Sequence, residues 1–150
     1  MSMFPHTVTV YNSEISYGAD FSETTVNHIT ILSGVLLDAS KAANVKTSGL
    51  EGADAVNLYV PFWASAVDAL TGDNKEYLSP MEFWALEDKT GFWTLSVDGN
   101  GGTTFFVKGE CADDTSFEEI SLAHDGVYRV TKVDEKDFGG DMQHWEIGGA

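Results

Sequence analysis

Thr7-Val8-Thr9-Val10-Tyr11-Asn12 alternates Val8 and Val10 with Thr7, Thr9 and Tyr11 and ends on an Asn turn signal. A period of two is the spacing of a pleated strand, whose successive side chains point to opposite faces. The same period recurs along the chain. Ile29, Ile31, Val35 and Leu37 share one parity, with Gly34 a bulge or close-packing point. Val56, Leu58 and Val60 alternate until Pro61, which cannot donate to a ladder and stops the strand. Trp93, Leu95 and Val97 form a further face, and Phe105 with Val107 another. Tyr128 and Val130 follow before Val133, and Trp145 with Ile147 completes the set. About eight short strands separated by turns predict an all-β fold, a small β-barrel or a two-sheet sandwich. Long loops and one or two short helices complete the expectation, in a single β domain over residues 1–150.

Turn chemistry predicts a hairpin at Asp98-Gly99-Asn100-Gly101-Gly102, whose glycines supply the positive φ that hairpin loops require. Asp38–Asp54 has no period-two face and reads as a long loop, with room for a helical turn at Ala39–Val45. Thr115–Ala123 carries a capping-box spacing, Ser116 to Glu119, and predicts a short helix ended by Asp125-Gly126. The chain shows no internal repeat, low-complexity tract or linker.

The 150 residues suffice for one sound core, and 43% hydrophobic with 12% aromatic residues are globular values. Charge is the outlier, with 24 acidic side chains against 8 basic ones and a net charge of −16. Arg129 is the only arginine. Affinity for nucleic acid comes mainly from cations that neutralise phosphates, so no stable nucleic-acid binding is expected. Solubility is the simplest role for such a charge. A single cysteine, Cys111, forbids an intrachain disulfide and fits synthesis in a reducing cytoplasm. Neither a signal peptide nor a run of about 20 apolar residues is present, so a soluble chain without membrane contact is expected.

The familiar catalytic patterns are missing. There is no Gly-x-Ser-x-Gly elbow. Cys111 stands among Glu110, Asp113 and Asp114, acidic neighbours that disfavour a thiolate, so it reads as structural. Gly99-Asn100-Gly101-Gly102 leads into a strand rather than a helix N-terminus, which argues against phosphate binding. A calcium loop starting at Asp98 fails at Gly102 and Gly109. His6, His28, His124 and His144 form no zinc spacing. Asp137, Asp141 and His144 are the best metal candidates, yet their Gly-containing segment reads more simply as a loop whose Asp residues cap turns. Doublets such as Asp113/Asp114, Glu118/Glu119 and Asp134/Glu135 point to opposite faces of a strand and are not catalytic pairs. The expectation is no enzymatic activity, no metal and no cofactor.

Tandem aromatics occur at Phe62-Trp63, Phe83-Trp84 and Phe92-Trp93. In a strand such neighbours face opposite sides, so one of each pair can lie outside the core and anchor a partner or stack on a sugar. Phe62 and Trp63 are the candidate assembly-interface residues.

Phe4–Asn12, Ile31–Asp38, Thr47–Pro61, Leu86–Trp93 and Val127–Trp145 resemble a family of small virion proteins of tailed phages and prophages, from the head-completion and head–tail joining module. The resemblance implies a head–tail connector, stopper-like subunit that joins a ring below the portal. It implies other virion proteins (portal, adaptor or tail components) as partners, and localisation in the virion after synthesis in the bacterial cytoplasm. An acidic wall suits a DNA conduit that must not bind its cargo. A minor capsid or tail-tube protein of the same module is the alternative, and a carbohydrate-binding module rests on the aromatics alone. The acidic stretch Glu110–Glu119 departs from the pattern and looks like a local insertion.

Overall fold

The alternating run that opens the chain becomes β1 (His6–Tyr17), which pairs antiparallel along its whole length with β2 (Glu23–Asp38). The computed structural model describes residues 5–17, 19–20, 22–38, 56–97, 102–136 and 143–150. The core of the expected loop at Asp38–Asp54, the turn at 98–101 and the candidates Asp137 and Asp141 lie outside the described residues. Seven further strands and two helices follow: β3 (Val56–Pro61), β4 (Ser65–Asp68), β5 (Glu76–Tyr77), α1 (Pro80–Ala85), β6 (Phe92–Trp93), β7 (Thr103–Lys108), α2 (Phe117–Ala123), β8 (Val127–Lys136) and β9 (His144–Gly149).

The ladders close into a ring. β1 pairs with β7, β7 with β8, β8 with β9, β9 with β3, β3 with β2, and β2 returns to β1. All six pairings are antiparallel, so the fold is an all-β barrel. β4 extends the edge of β2 that β3 occupies further along, because the chain turns at 62–64 just after Pro61. A small parallel pair, β5 with β6, lies outside the ring.

Val8, Val10, Leu32, Leu58, Phe106 and Ile147 are each fully buried inside the ring. Burying side chains of this size contributes roughly 1.5–3 kcal/mol each, the main term that holds the barrel together. Gly34 sets the parity of β2. His6 pairs with Val35 but Thr7 with Ser33, so Gly34, at φ +83°, is the extra residue of a bulge. The bulge flips the alternation. Val35 and Leu37 therefore share the interior with Leu32, whereas Ile29 belongs to a second cluster. The single parity expected for Ile29, Ile31, Val35 and Leu37 is corrected accordingly.

Thr9 and Tyr11, on the opposite face of β1 from Val8 and Val10, are also fully buried. Tyr11 stacks on Phe105 at 4.7 Å between ring centroids, and both join Ile29, Val107, Cys111 and Ile120 in a satellite core. Phe117 of α2 packs edge-on against Phe105. The acidic stretch after β7 is thus the cover of this satellite core. Its helix starts at the capping box, where Ser116 Oγ accepts from the Glu119 N–H at 3.2 Å.

Two expectations fail for one reason each. Trp93–Val97 and Phe105–Val107 do not form a hairpin ladder, because β1 and β8 occupy both edges of β7. Residues 94–97 instead run outside any ladder, with Thr94, Leu95 and Ser96 buried. There the Asn12 amide imitates a neighbouring strand, accepting from the Thr94 N–H at 3.2 Å and donating to the Thr94 carbonyl at 2.9 Å. The Phe83-Trp84 pair sits on a helix, not a strand. Ser79 caps α1, its Oγ accepting from the Glu82 N–H at 3.4 Å and donating to Glu82 Oε1 at 2.9 Å, and Pro80 occupies the first turn.

Candidate functional site

The turn between β3 and β4 separates its two aromatics. Phe62 is half-buried, its ring 4.3 Å from that of Trp145, which lies 4.3 Å from Tyr77. Trp63 is 59% exposed, and its ring edge lies over the bulge, 3.5 Å from where a Cβ on Gly34 would stand. A Cβ there would meet the indole at ordinary contact distance, so it is the positive φ of the bulge, not the indole, that calls for glycine at position 34. The other tandem pairs stay closer to the core, with Phe83 and Trp93 buried and Trp84 bonded through Nε1 to Ser96 Oγ at 3.2 Å. Of the four tryptophans, only Trp63 is exposed.

Two lysines with buried side chains pair with carboxylates of β1 and β4 along the outside of the β1–β2 ladder. Lys89 donates to the Leu86 carbonyl at 2.6 Å and pairs with Glu14 at 3.2 Å. Lys75 donates to the Ile29 carbonyl and Thr30 Oγ1 and pairs with Asp68 at 3.4 Å. Burial lowers the Lys75 ammonium below its ordinary range, against the pull of Asp68. His28 lies 3.9 Å from Glu14, and burial pushes its imidazole below the usual histidine value. Its Nε2 is buried without a hydrogen-bond partner among the described residues. These groups fasten α1 and its flanks onto the barrel.

A third cluster was not singled out as a set by sequence reasoning. The chain leaves β7 at Gly109, where the Thr9 hydroxyl donates to the Gly109 carbonyl at 2.8 Å and accepts from the Cys111 N–H at 2.9 Å. This fixes Cys111, 6% exposed, against β1. α2 then folds back and ends at His124, its C-cap. The result brings Cys111 Sγ to 3.7 Å from His124 Nε2, and Asp113 Oδ2 to 2.7 Å from the same nitrogen. Among the described residues these three form a group able to hold a metal ion, with ligand atoms all within 4.8 Å of one another. Tyr11 OH points at the sulfur from 3.0 Å and at the Asp113 carbonyl from 2.7 Å. Burial, then the bond to Cys111, raises the Tyr11 phenol above its ordinary value and keeps it a donor. Cys111-x-Asp113 followed by a distant His124 matches no ligand motif. Its legible trace was indirect: a capped helix begins soon after Cys111 and is short enough to return the chain to it.

Sulfur and carboxylate meet the same ring nitrogen. A thiol relay needs them on opposite nitrogens, one to exchange the proton and one to orient the ring. The cluster is therefore not built as a nucleophilic triad.

A family model described as a family of unknown function, DUF6751, matches residues 3–150. The chain belongs to this family. No curated protein matches it, and no solved structure does. In this DUF6751 chain no described helix is long and apolar enough to cross a membrane. Of the residues singled out in the sequence for assembly, Phe62 serves the core and Trp63 the surface. His144 is paired with Glu146 at 3.0 Å, an arrangement internal to β9.

Proposed function

We propose that this protein is a virion structural subunit that acts as a head–tail connector, stopper-like in form, and joins a ring below the portal. The observation that carries the reading is the division of labour at the β3–β4 turn. Phe62 anchors the turn in the aromatic core, so Trp63, 59% exposed, is presented from a fixed backbone rather than a loose one. A large, rigidly held aromatic supplies contact area at low entropic cost, the character of an interface anchor. The likeness of several blocks, Phe4–Asn12 and Val127–Trp145 among them, to small tailed-phage virion proteins supports the setting. The net charge of −16 suits a wall that lets DNA pass.

On this reading the subunit binds portal, adaptor or tail components, and neighbouring copies meet through two different patches around the ring. The test uses particles from cells lacking the gene, complemented with the natural chain or with Trp63→Ala. The natural chain restores tailed, infectious particles, whereas Trp63→Ala leaves filled heads without tails although the purified variant keeps its β-type circular dichroism. Normal tailed, infectious particles in the absence of the protein overturn the reading.

A further inference from the structure

The geometry points to a second site, independent of the assembly surface: we infer that Cys111 Sγ, Asp113 Oδ2 and His124 Nε2 bind one borderline-soft divalent cation of the zinc class.

The donor set selects the metal. A thiolate and an imidazole with one carboxylate suit zinc and its neighbours, whereas magnesium and calcium take oxygen alone. The spacing fits as well. Bonds of about 2.0–2.3 Å in a tetrahedron place donor atoms roughly 3.3–3.8 Å apart. Sulfur and nitrogen already stand 3.7 Å apart, and nitrogen and carboxylate oxygen are closer, at 2.7 Å. That short contact is held by one hydrogen between the two atoms. On binding, the thiol releases its proton to solvent, the imidazole carries its proton on Nδ1 rather than Nε2, and the cation takes the place of the shared hydrogen. Nitrogen and carboxylate oxygen then part by about half an ångström, while sulfur and carboxylate, which lie within 4.8 Å of each other, settle at the same spacing.

Cys111 reaches the site from the satellite core, and polar groups of β1 meet it there. Tyr11 OH shares its one hydrogen between the Asp113 carbonyl at 2.7 Å and Sγ at 3.0 Å, so it holds the ligand loop and also reaches the sulfur, a contact of the kind that orients and tunes metal thiolates. Thr9 holds the Cys111 N–H, so the cysteine is fixed before any ion arrives. Cys111 closes the inner side, while the side chains of Asp113 and His124 are 54% and 35% exposed and leave the outer side open. Three protein ligands with an open fourth position is the pattern of a site that also takes water or a ligand from a partner.

The experiment titrates the full chain, stripped of metal under anaerobic conditions, with cobalt(II) alone and then with zinc(II). One cobalt per chain is expected, with thiolate-to-cobalt charge-transfer absorption in the near ultraviolet that one equivalent of zinc removes. His124→Asn and Asp113→Asn, both at solvent-facing positions, weaken zinc binding at least about tenfold without altering the circular dichroism. Cys111→Ser abolishes the charge-transfer band. Tyr11→Phe keeps the band but shifts its energy, because the hydrogen bond to sulfur is lost. Cobalt binding without a thiolate band, no binding at one equivalent, or zinc affinity unchanged in His124→Asn overturns the inference. Those are the results expected if the three side chains only lock the 110–126 segment onto β1.

Discussion

Asn12 shows how much one side chain can decide. It shares the parity of Val8 and Val10 in β1, yet it is polar and fully buried, because its amide is bonded to the backbone of Thr94. Its amide supplies both backbone bonds that a strand would have made to Thr94 and also reaches Thr104 Oγ1 at 3.0 Å. In Asn12→Ala the Thr94 N–H and carbonyl lose these partners while buried. The expected loss is about 3 kcal/mol in urea unfolding; a loss below about 1 kcal/mol would show that water replaces the amide. His28 makes a different prediction. Burial, aided by Lys75 and Lys89 and opposed by Glu14, holds its folded value below 6.5. The unfolded chain therefore binds more protons than the folded one as pH drops through that range. The contribution of His28 is fully present above the unfolded value and is lost as pH falls through the folded value. Stability measured against His28→Gln should favour the natural chain less at pH near 5 than at pH near 7. A constant difference across that range would show that His28 titrates as it does in water.

At the scale of elements, what the sequence made legible was local and what it hid was tertiary. The Ser116–Glu119 box was readable because its chemistry is complete within four residues, and α2 starts there. The equivalent Ser79-Pro80-Met81-Glu82 signal carried the same information, but the aromatics Phe83-Trp84 drew the reading toward a strand. The Asp98–Gly102 turn was likewise read from good local chemistry, whereas the edges of β7 were claimed by β1 and β8, far away in the chain. No window of residues contains that competition. The tandem aromatics Phe62-Trp63 were legible as neighbours, and only the fold could say that Phe62 turns inward. Cys111, Asp113 and His124 were visible singly but not as a group, because the return of α2 makes them one. Since α2 covers the satellite core, its cap has a measurable role. Ser116→Ala removes the acceptor for the Glu119 N–H and should cost about 1 kcal/mol in thermal or chemical unfolding. No change would mean that the helix is held by Ile120 and Phe117 alone.

Over the whole molecule the net charge of −16 sets the long-range behaviour. Like charges repel within and between subunits, and salt screens them over a length of about 10 Å at 0.1 M. The isolated chain should therefore not retard double-stranded DNA in a gel at physiological salt; tight, salt-sensitive retardation would contradict this. Ring closure has a further consequence, one of timing. β9 lies between β3 and β8, so residues 144–149 are synthesised after every other described strand yet fill a place in the middle of the sheet. Until they are made, β3 and β8 each keep one unzipped edge, and the growing chain can settle neither. The barrel is thus completed late, when its last stave, residues 144–149, slides between two strands that were made before it.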